Sequence, residues 1–261
     1  MKLTQIWQYP IKSCQGIQLQ EGMVGEEGLV GDRRFQLILP NGRFVTQREF
    51  PHMANIAVQL NKQSVDCFFN EQKQEFDFDD FKQQETVKIW GDKVKANILI
   101  GSGNEKLSKW MGMDVRLAQL PPRNRPISDK AAEGFVSFAD GFPYLLIGQA
   151  SLDDLNVRLD KKVTMKNFRP NLVVDSMNAF EEDGWNRLQI GDVIFRNVKP
   201  CSRCVLTTVD PSNGKKAKDL EPLKTLAMYR KFEQGKIMFG VNLIAENTGQ
   251  VKLGQQAILL D

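Results

Sequence analysis

Short apolar, β-branched runs closed by turn signals constrain this chain more than any other feature of its sequence. Phe35–Leu39, Ile56–Leu60, Val65–Phe69, Val87–Trp90 and Val94–Leu99 are short enough for strands and rich in branched and aromatic residues. Pro40-Asn41-Gly42 and Gly91-Asp92 suit the hairpins between them. Lys2-Leu3-Thr4-Gln5-Ile6-Trp7 reads as a first strand. Helical spacing of Leu107, Trp110 and Met111 predicts one short helix over Asn104–Met111.

Pro121-Pro122-Arg123-Asn124-Arg125-Pro126 is a stiff loop, and it divides the chain into residues 1–120 and 121–261. Arg123 and Arg125 within it read as solvent-facing. Beyond it, Ser151-Leu152-Asp153-Asp154 resembles a capping box ahead of Leu152, Leu155 and Leu159 at helical spacing. Pro222 is suited to the first turn of a helix carrying Leu223, Leu226 and Tyr229. Leu172–Val174, Leu188–Ile190, Val193–Val198, Val205–Val209, Phe239–Ala245 and Ala257–Leu260 read as strands, with Gly191-Asp192 as a hairpin turn. So many short strands and so few helices predict a mainly β protein built from barrels.

Composition removes several classes of function. At 261 residues, with 41% hydrophobic and 26% charged side chains, the chain supports a sizeable core. Its net charge of +3 contains no block of like charge and no basic helix, so nucleic acid is not an expected partner. No run approaches the roughly 18 apolar residues of a membrane helix, and the N-terminus does not read as a secretory signal. The expectation is a cytoplasmic protein with reduced thiols. One histidine, His52, makes His-based acid–base chemistry a poor expectation, and no His follows the Cys-x-x-Cys for a covalent heme. Gly-rich phosphate loops, nucleophile elbows and His-based metalloprotease motifs are absent.

Cys201-Ser202-Arg203-Cys204 is the richest chemical segment, with two thiols, a hydroxyl and a guanidinium. A redox Cys-x-x-Cys normally opens a helix whose dipole lowers a thiol pKa. Here Val205–Val209 is apolar and β-branched and reads as a strand. The pair is therefore open to three readings: two packing thiols, a zinc site completed by Cys14 and Cys67, or one soft-metal ligand beside anion-binding groups. On an extended chain, thiols three residues apart point to opposite faces.

Other segments supply cations on turns. Lys12 and Ser13 follow the first strand; Arg33 and Arg34 enter another; Arg169 and Asn171 flank Pro170. Each read alone is an ordinary turn or hydrogen-bonded loop, and Asp140 before Gly141 is an ordinary turn former. An inward arginine nevertheless needs an anionic partner, because it cannot shed its charge cheaply.

Taken in order, YPIKSCQGI (Tyr9–Ile17), GDRRF (Gly31–Phe35), NFRPNLVV (Asn167–Val174), CSRCVLTTVDP (Cys201–Pro211), EPLKTLAMYR (Glu221–Arg230) and FGVNLIAENTGQVKLG (Phe239–Gly254) resemble the MOSC superfamily. That superfamily is named for the C-terminal domain of molybdenum cofactor sulfurase. The likeness is to its amidoxime-reducing and bacterial YcbX-type branches and runs along essentially the whole chain. It implies an N-terminal β-rich module packed on a MOSC β-barrel, with a molybdenum–molybdopterin cofactor between them.

By motif position, the resemblance makes Cys204 the molybdenum ligand. Lys12, Ser13, Arg33, Arg169, Asn171 and Ser202 become cofactor contacts, and Asp140 an acid near the metal's open side. Gly141-Phe142 stands where the family carries a small polar residue, which points to a reshaped substrate pocket. The implied reaction is two-electron reduction of N-hydroxylated compounds such as hydroxylamines and amidoximes, in a monomer. YcbX-type proteins often carry a ferredoxin module; no cysteine lies beyond Cys204 here, so electrons are expected from a separate ferredoxin, flavodoxin or cytochrome. The rival expectations are a sulfur carrier, with a persulfide on Cys204, and a protein that binds and transfers the molybdenum cofactor.

Overall fold

A computed structural model describes residues 1–232 and 235–260. Its largest sheet has eight strands in the order Ala257–Leu260, Arg187–Ile190, Val193–Ser202, Met238–Ala245, Tyr144–Gly148, Leu172–Val174, Leu3–Gln8 and Ile17–Leu19. Its pairings are antiparallel except Tyr144–Gly148 with Leu172–Val174. A parallel pair needs a long crossover. The helices Gln149–Val157 and Met165–Phe168 lie in that connection.

The sheet does not close as a continuous ladder. One edge strand, Ala257–Leu260, returns to the start of the Leu3–Gln8 strand through one bridge, Lys2 with Gln256, framed by Leu3 N donating to Gln255 O at 2.9 Å and Ala257 N to Met1 O at 2.8 Å. The predicted barrel is thus a curled sheet with a narrow seam. Burial follows the strand period: Leu188, Ile190, Val193 and Phe195 point inward with Leu3, Ile6, Tyr144 and Leu146. The Tyr144 and Phe195 rings meet edge to face at 5.3 Å. Each such apolar side chain contributes about 1.5–3 kcal/mol on burial. Tyr144–Gly148 and Leu172–Val174 are buried on both faces because Leu152, Leu155, Met165 and Phe168 cover their other side.

A second body of β structure comes from the first half of the chain. Phe35–Ile38, Arg116–Gln119, Asp92–Leu99 and Phe81–Ile89 form one sheet, and Ala57–Leu60, Ser64–Phe69 and Gln72–Asp77 another. They enclose Phe35, Leu37, Val65, Phe76 and Leu117, together with Leu107 and Met111 from the helix Gly103–Met111. The two bodies interlock. Leu3–Gln8 and Ile17–Leu19 belong to the eight-stranded sheet, and Glu21–Gly25 pairs with Gly249–Lys252.

Three local expectations are corrected. Residues after Cys204 form a 3-10 turn, Val205–Thr208, rather than a strand. Thr207 Oγ1 donates to Cys204 O at 3.0 Å and Thr208 Oγ1 to Val205 O at 2.8 Å, so the hydroxyls close the turn that β-branching alone disfavours. Ser151 does not cap its helix, which begins at Gln149 after the Gly148 N-cap; its hydroxyl donates to the buried carboxylate of Glu182 at 2.8 Å. Arg125 is 1% exposed, not solvent-facing, whereas Arg123 is exposed.

Candidate functional site

The strand Val193–Ser202 delivers Cys201 and Ser202, and the turn that follows starts at Cys204. Around this segment lies a cleft of about 740 Å³. Lys12, Ser13, Arg33, Asp140, Arg169, Asn171, Ser202 and Cys204 all line it, so the structure brings together every site residue expected from the sequence. Cys201 lines it as well, and neither thiol is fully buried. The expected division into one cleft-facing and one purely packing thiol is therefore corrected. The strand ends at Ser202, Cys204 keeps an extended backbone as it enters the turn, and Cys201 also packs against the core cluster that includes Phe168 and Phe239.

Three of these residues hold left-handed backbones: Ser13 at φ 69°, Arg33 at φ 47° and Arg169 at φ 57°. Non-glycine residues there cost about 1–2 kcal/mol each and persist only where their surroundings enforce them. The Arg169 conformation follows from its place as C-cap of Met165–Phe168, where the chain must turn before Pro170. Arg33 is enforced by its own N–H, which donates to Tyr9 O at 2.7 Å.

Arg33 is anchored by Asp32, with Nη1 to Oδ2 at 2.6 Å, and reaches across to Asn171 Oδ1 and Arg169 O, both at 3.1 Å. Burial by itself lowers the Arg33 pKa, but the Asp32 carboxylate outweighs it and holds the guanidinium above its ordinary value. Asn171 is 1% exposed, and its amide donates to Trp7 O at 3.1 Å while its oxygen accepts from Arg33 and from Leu145 N. It is a tether between walls more than a free donor. Arg33 and Arg169 both lie against the Tyr9 ring, at 4.5 and 4.1 Å from its centroid.

Arg169 has no carboxylate partner among the described residues. Its Nη1 donates to Cys14 O at 2.7 Å, and its Nη2 is buried with no acceptor. Burial, with Arg33 adding repulsion, pulls it down to about 10, which still leaves it protonated at neutral pH. Arg203 is similar: Nη2 donates to Phe168 O at 2.6 Å, Nη1 to Cys201 Sγ at 3.2 Å, and Nε is buried without a partner. Buried, orphaned donor atoms on two half-buried cations are the mark of an anion site whose ligand supplies the acceptors. The whole lining says the same. Seven lysines and arginines stand against two aspartates, an excess larger than the +3 of the entire chain.

Lys12 is 6% exposed and bonds Phe138 O at 2.9 Å and the Asp140 carboxylate. Burial lowers its pKa and Asp140 opposes that. The Asp140 side chain is 60% exposed at the mouth. Enclosure by the cleft walls pushes its carboxyl up, but the Lys12 ammonium, the Arg48 guanidinium and the Trp90 N–H together hold it well below the carboxylate range. Its carboxylate is ionised at neutral pH. It is the centre of a cation cluster.

Sequence reasoning missed Arg48, Trp90, Arg125 and Lys199. Trp90 sits at the tip of the hairpin joining Phe81–Ile89 to Asp92–Leu99, under Arg48 at 4.2 Å, and donates to Asp140 at 3.2 Å. Its φ of 50° falls at a turn position that favours glycine, and a tryptophan there was the available signal. Arg125 binds Asp92 through Nε at 2.8 Å and the carbonyls of Ser137 and Ala139 at 2.9 and 2.5 Å, fixing the loop that carries Asp140. No pattern around Arg125 distinguished it from its exposed neighbour Arg123.

Zinc is not supported. Cys14 and Cys67 are buried in the first-half core, where burial pushes the Cys14 thiol up to about 12 and raises Cys67 as well. No group of three or more His, Cys, Asp or Glu poised for a metal occurs among the described residues.

Two interlocked β bodies with a cationic cleft lined by two thiols define a class of protein built to cradle an anionic ligand. Residues 1–114 match the family described as MOSC N-terminal beta barrel domain, and residues 133–257 match the MOSC domain. The chain belongs to the MOSC family. It is 33% identical to mitochondrial amidoxime-reducing component 1 of Homo sapiens, over 99% of this chain and 82% of that protein. Human mitochondrial amidoxime reducing component 2 is 32% identical, over 97% and 81%. The molybdenum cofactor sulfurase of Oryza sativa subsp. japonica is 28% identical, over 92% of this chain but 32% of that protein.

The cleft fits the molybdenum–molybdopterin group the resemblance implies. A phosphate meets the orphaned Arg169 N–H, and a thiolate is a suitable soft ligand for the metal. Among the described residues no helix is long and apolar enough to cross a membrane.

Proposed function

We propose that this protein is a molybdenum-cofactor-dependent reductase of N-hydroxylated compounds, hydroxylamines and amidoximes among them. The observation that carries the reading is the buried, acceptor-poor Arg169 sharing one cleft with Cys204. Similarity to two amidoxime-reducing components over nearly the whole chain supports the choice of reaction.

The residue roles follow from the chemistry. Cys204, as thiolate, ligates the metal. Lys12, Arg33 and Arg169 hold the cofactor anion, with Ser13 and Ser202 as hydroxyl donors and Asn171 locking the Arg33 wall. When bound, the molybdenum cofactor supplies the two-electron couple for N–O cleavage. The net change is N–OH plus two electrons and two protons, giving N–H and water. Electrons come from a separate donor protein. Asp140 keeps Lys12 and Arg48 in place at the mouth, and protons enter from that solvent-facing side.

The test is direct. Protein produced in a cofactor-making host should carry molybdenum and pterin, and with a chemical electron donor should convert benzamidoxime to benzamidine. Purification without either component sinks the cofactor assignment. Retention of both without turnover over a panel of N-hydroxylated substrates favours a sulfur or cofactor carrier, the alternative that likeness to the sulfurase keeps open.

A further inference from the structure

The cofactor roles above draw on both halves of the chain and leave Phe142, Lys199 and Lys236 of the cleft lining unassigned. Lys199 lies on the strand Val193–Ser202 that leads to Cys204, five positions before that residue, so at most about 18 Å of chain separates them. Its ammonium stands 5.1 Å from the centroid of the Phe142 ring and pairs with Asp129. Lys236 lines the same cleft, and its charge, after the Lys199 hydrogen bond and the Ala131 N–H, helps hold the Asp129 carboxyl below its ordinary value. Two lysines thus line the cleft, one of them paired with Asp129 beside an apolar ring.

The Lys199–Asp129 pair is 43% and 32% exposed. A pair so exposed is worth at most about 1 kcal/mol, so a competing carboxylate or phosphate exchanges for Asp129 at little cost. Phe142 supplies a flat apolar surface adjoining the Lys199 ammonium, and Lys236 lines the same cleft. Resting on the reductase reading, we propose that Phe142, Lys199 and Lys236 form a tail subsite selecting N-hydroxylated substrates whose flat body carries an anionic group. The reacting N–OH then points toward Cys204 and the anion toward the lysines.

Three amidoximes of matched shape test this on molybdenum-loaded protein: benzamidoxime, its 4-carboxy derivative and its 4-trimethylammonio derivative. The wild type should favour the carboxylate over the cation in kcat/KM by about tenfold, and the ratio should shrink with added salt. In a Lys199→Ala/Lys236→Ala double variant the ratio should fall below about threefold. Equal use of the three compounds by the wild type, or a ratio that persists in the variant, overturns the subsite. Calorimetric binding of 4-carboxybenzamide against benzamide reads the subsite without turnover. Tighter binding of the carboxylate that the double variant loses, in protein that reduces none of the amidoximes, upholds the subsite and rejects the reductase. Equal binding of both amides rejects the subsite alone.

Discussion

Arg33 donates to Asn171 Oδ1 at 3.1 Å across 138 positions of sequence, and this bond joins the wall built by the first half of the chain to the wall built by the second. Arg33 is itself held by Asp32, which is 1% exposed and also accepts from Tyr9 N at 2.7 Å. The Arg33 contribution to the cationic cleft therefore depends on one buried carboxylate.

Replacing Asp32 with Asn leaves the Arg33 guanidinium buried without its counter-charge. The expected loss is about 3–5 kcal/mol, read as a lowered urea midpoint with an unchanged slope. A loss below about 1 kcal/mol would show that water reaches Arg33 and that the carboxylate is dispensable.

Arg169 behaves in the opposite way. Without ligand it is a buried cation lacking an anion, so Arg169→Met should leave cofactor-free protein at least as stable as wild type, with Tm unchanged or raised by a few degrees. The same substitution should lower molybdenum content in protein from a cofactor-making host by about tenfold, the loss of one charge-assisted contact to a phosphate. Destabilised apo-protein would mean that the bond to Cys14 O matters more than the uncompensated charge.

Cys204→Ala should abolish molybdenum retention as measured by elemental analysis, while Cys201→Ala retains most of it. Both thiols line the cleft, so retention by the Cys204 variant and loss by the Cys201 variant would reverse the assignment.

Asp140 has a depressed carboxyl, and the sign of its pH dependence follows. Its contribution to stability is fully present above the unfolded-state carboxyl pKa of about 3.9 and is lost as pH falls toward the lower folded value. The stability difference between wild type and Asp140→Asn should be flat from about pH 5 to 8 and shrink below about pH 4. Its side chain is largely exposed, so solvent screening keeps the difference small. A difference that changes between pH 6 and 8 would place a neutral carboxylic acid at this position and restore a proton-donating role.

Much of the strand pattern was legible because period-two burial is local: Leu188, Ile190, Val193 and Phe195 declare their inward face from sequence order alone. The site residues were legible only as an ordered set of motifs. Taken singly, Lys12, Arg33 and Arg169 read as turns, and none of their spacings says that they meet.

The sequence by itself determined a mainly β chain of the MOSC family, with Cys204 and a set of scattered cations as its chemical content. Tertiary structure decided the rest. It turned Val205–Thr208 into a 3-10 turn, because two threonine hydroxyls close it against β propensity. It buried Arg125 and exposed Arg123 two residues away, because Arg125 meets Asp92 and three loop carbonyls in the interior whereas Arg123 pairs with Glu26 at the surface. It set Asp140 beside Lys12 and Arg48 as their ionised partner. Burial and charge pairing are sums over neighbours in space, and the chain brings those neighbours together only when it folds.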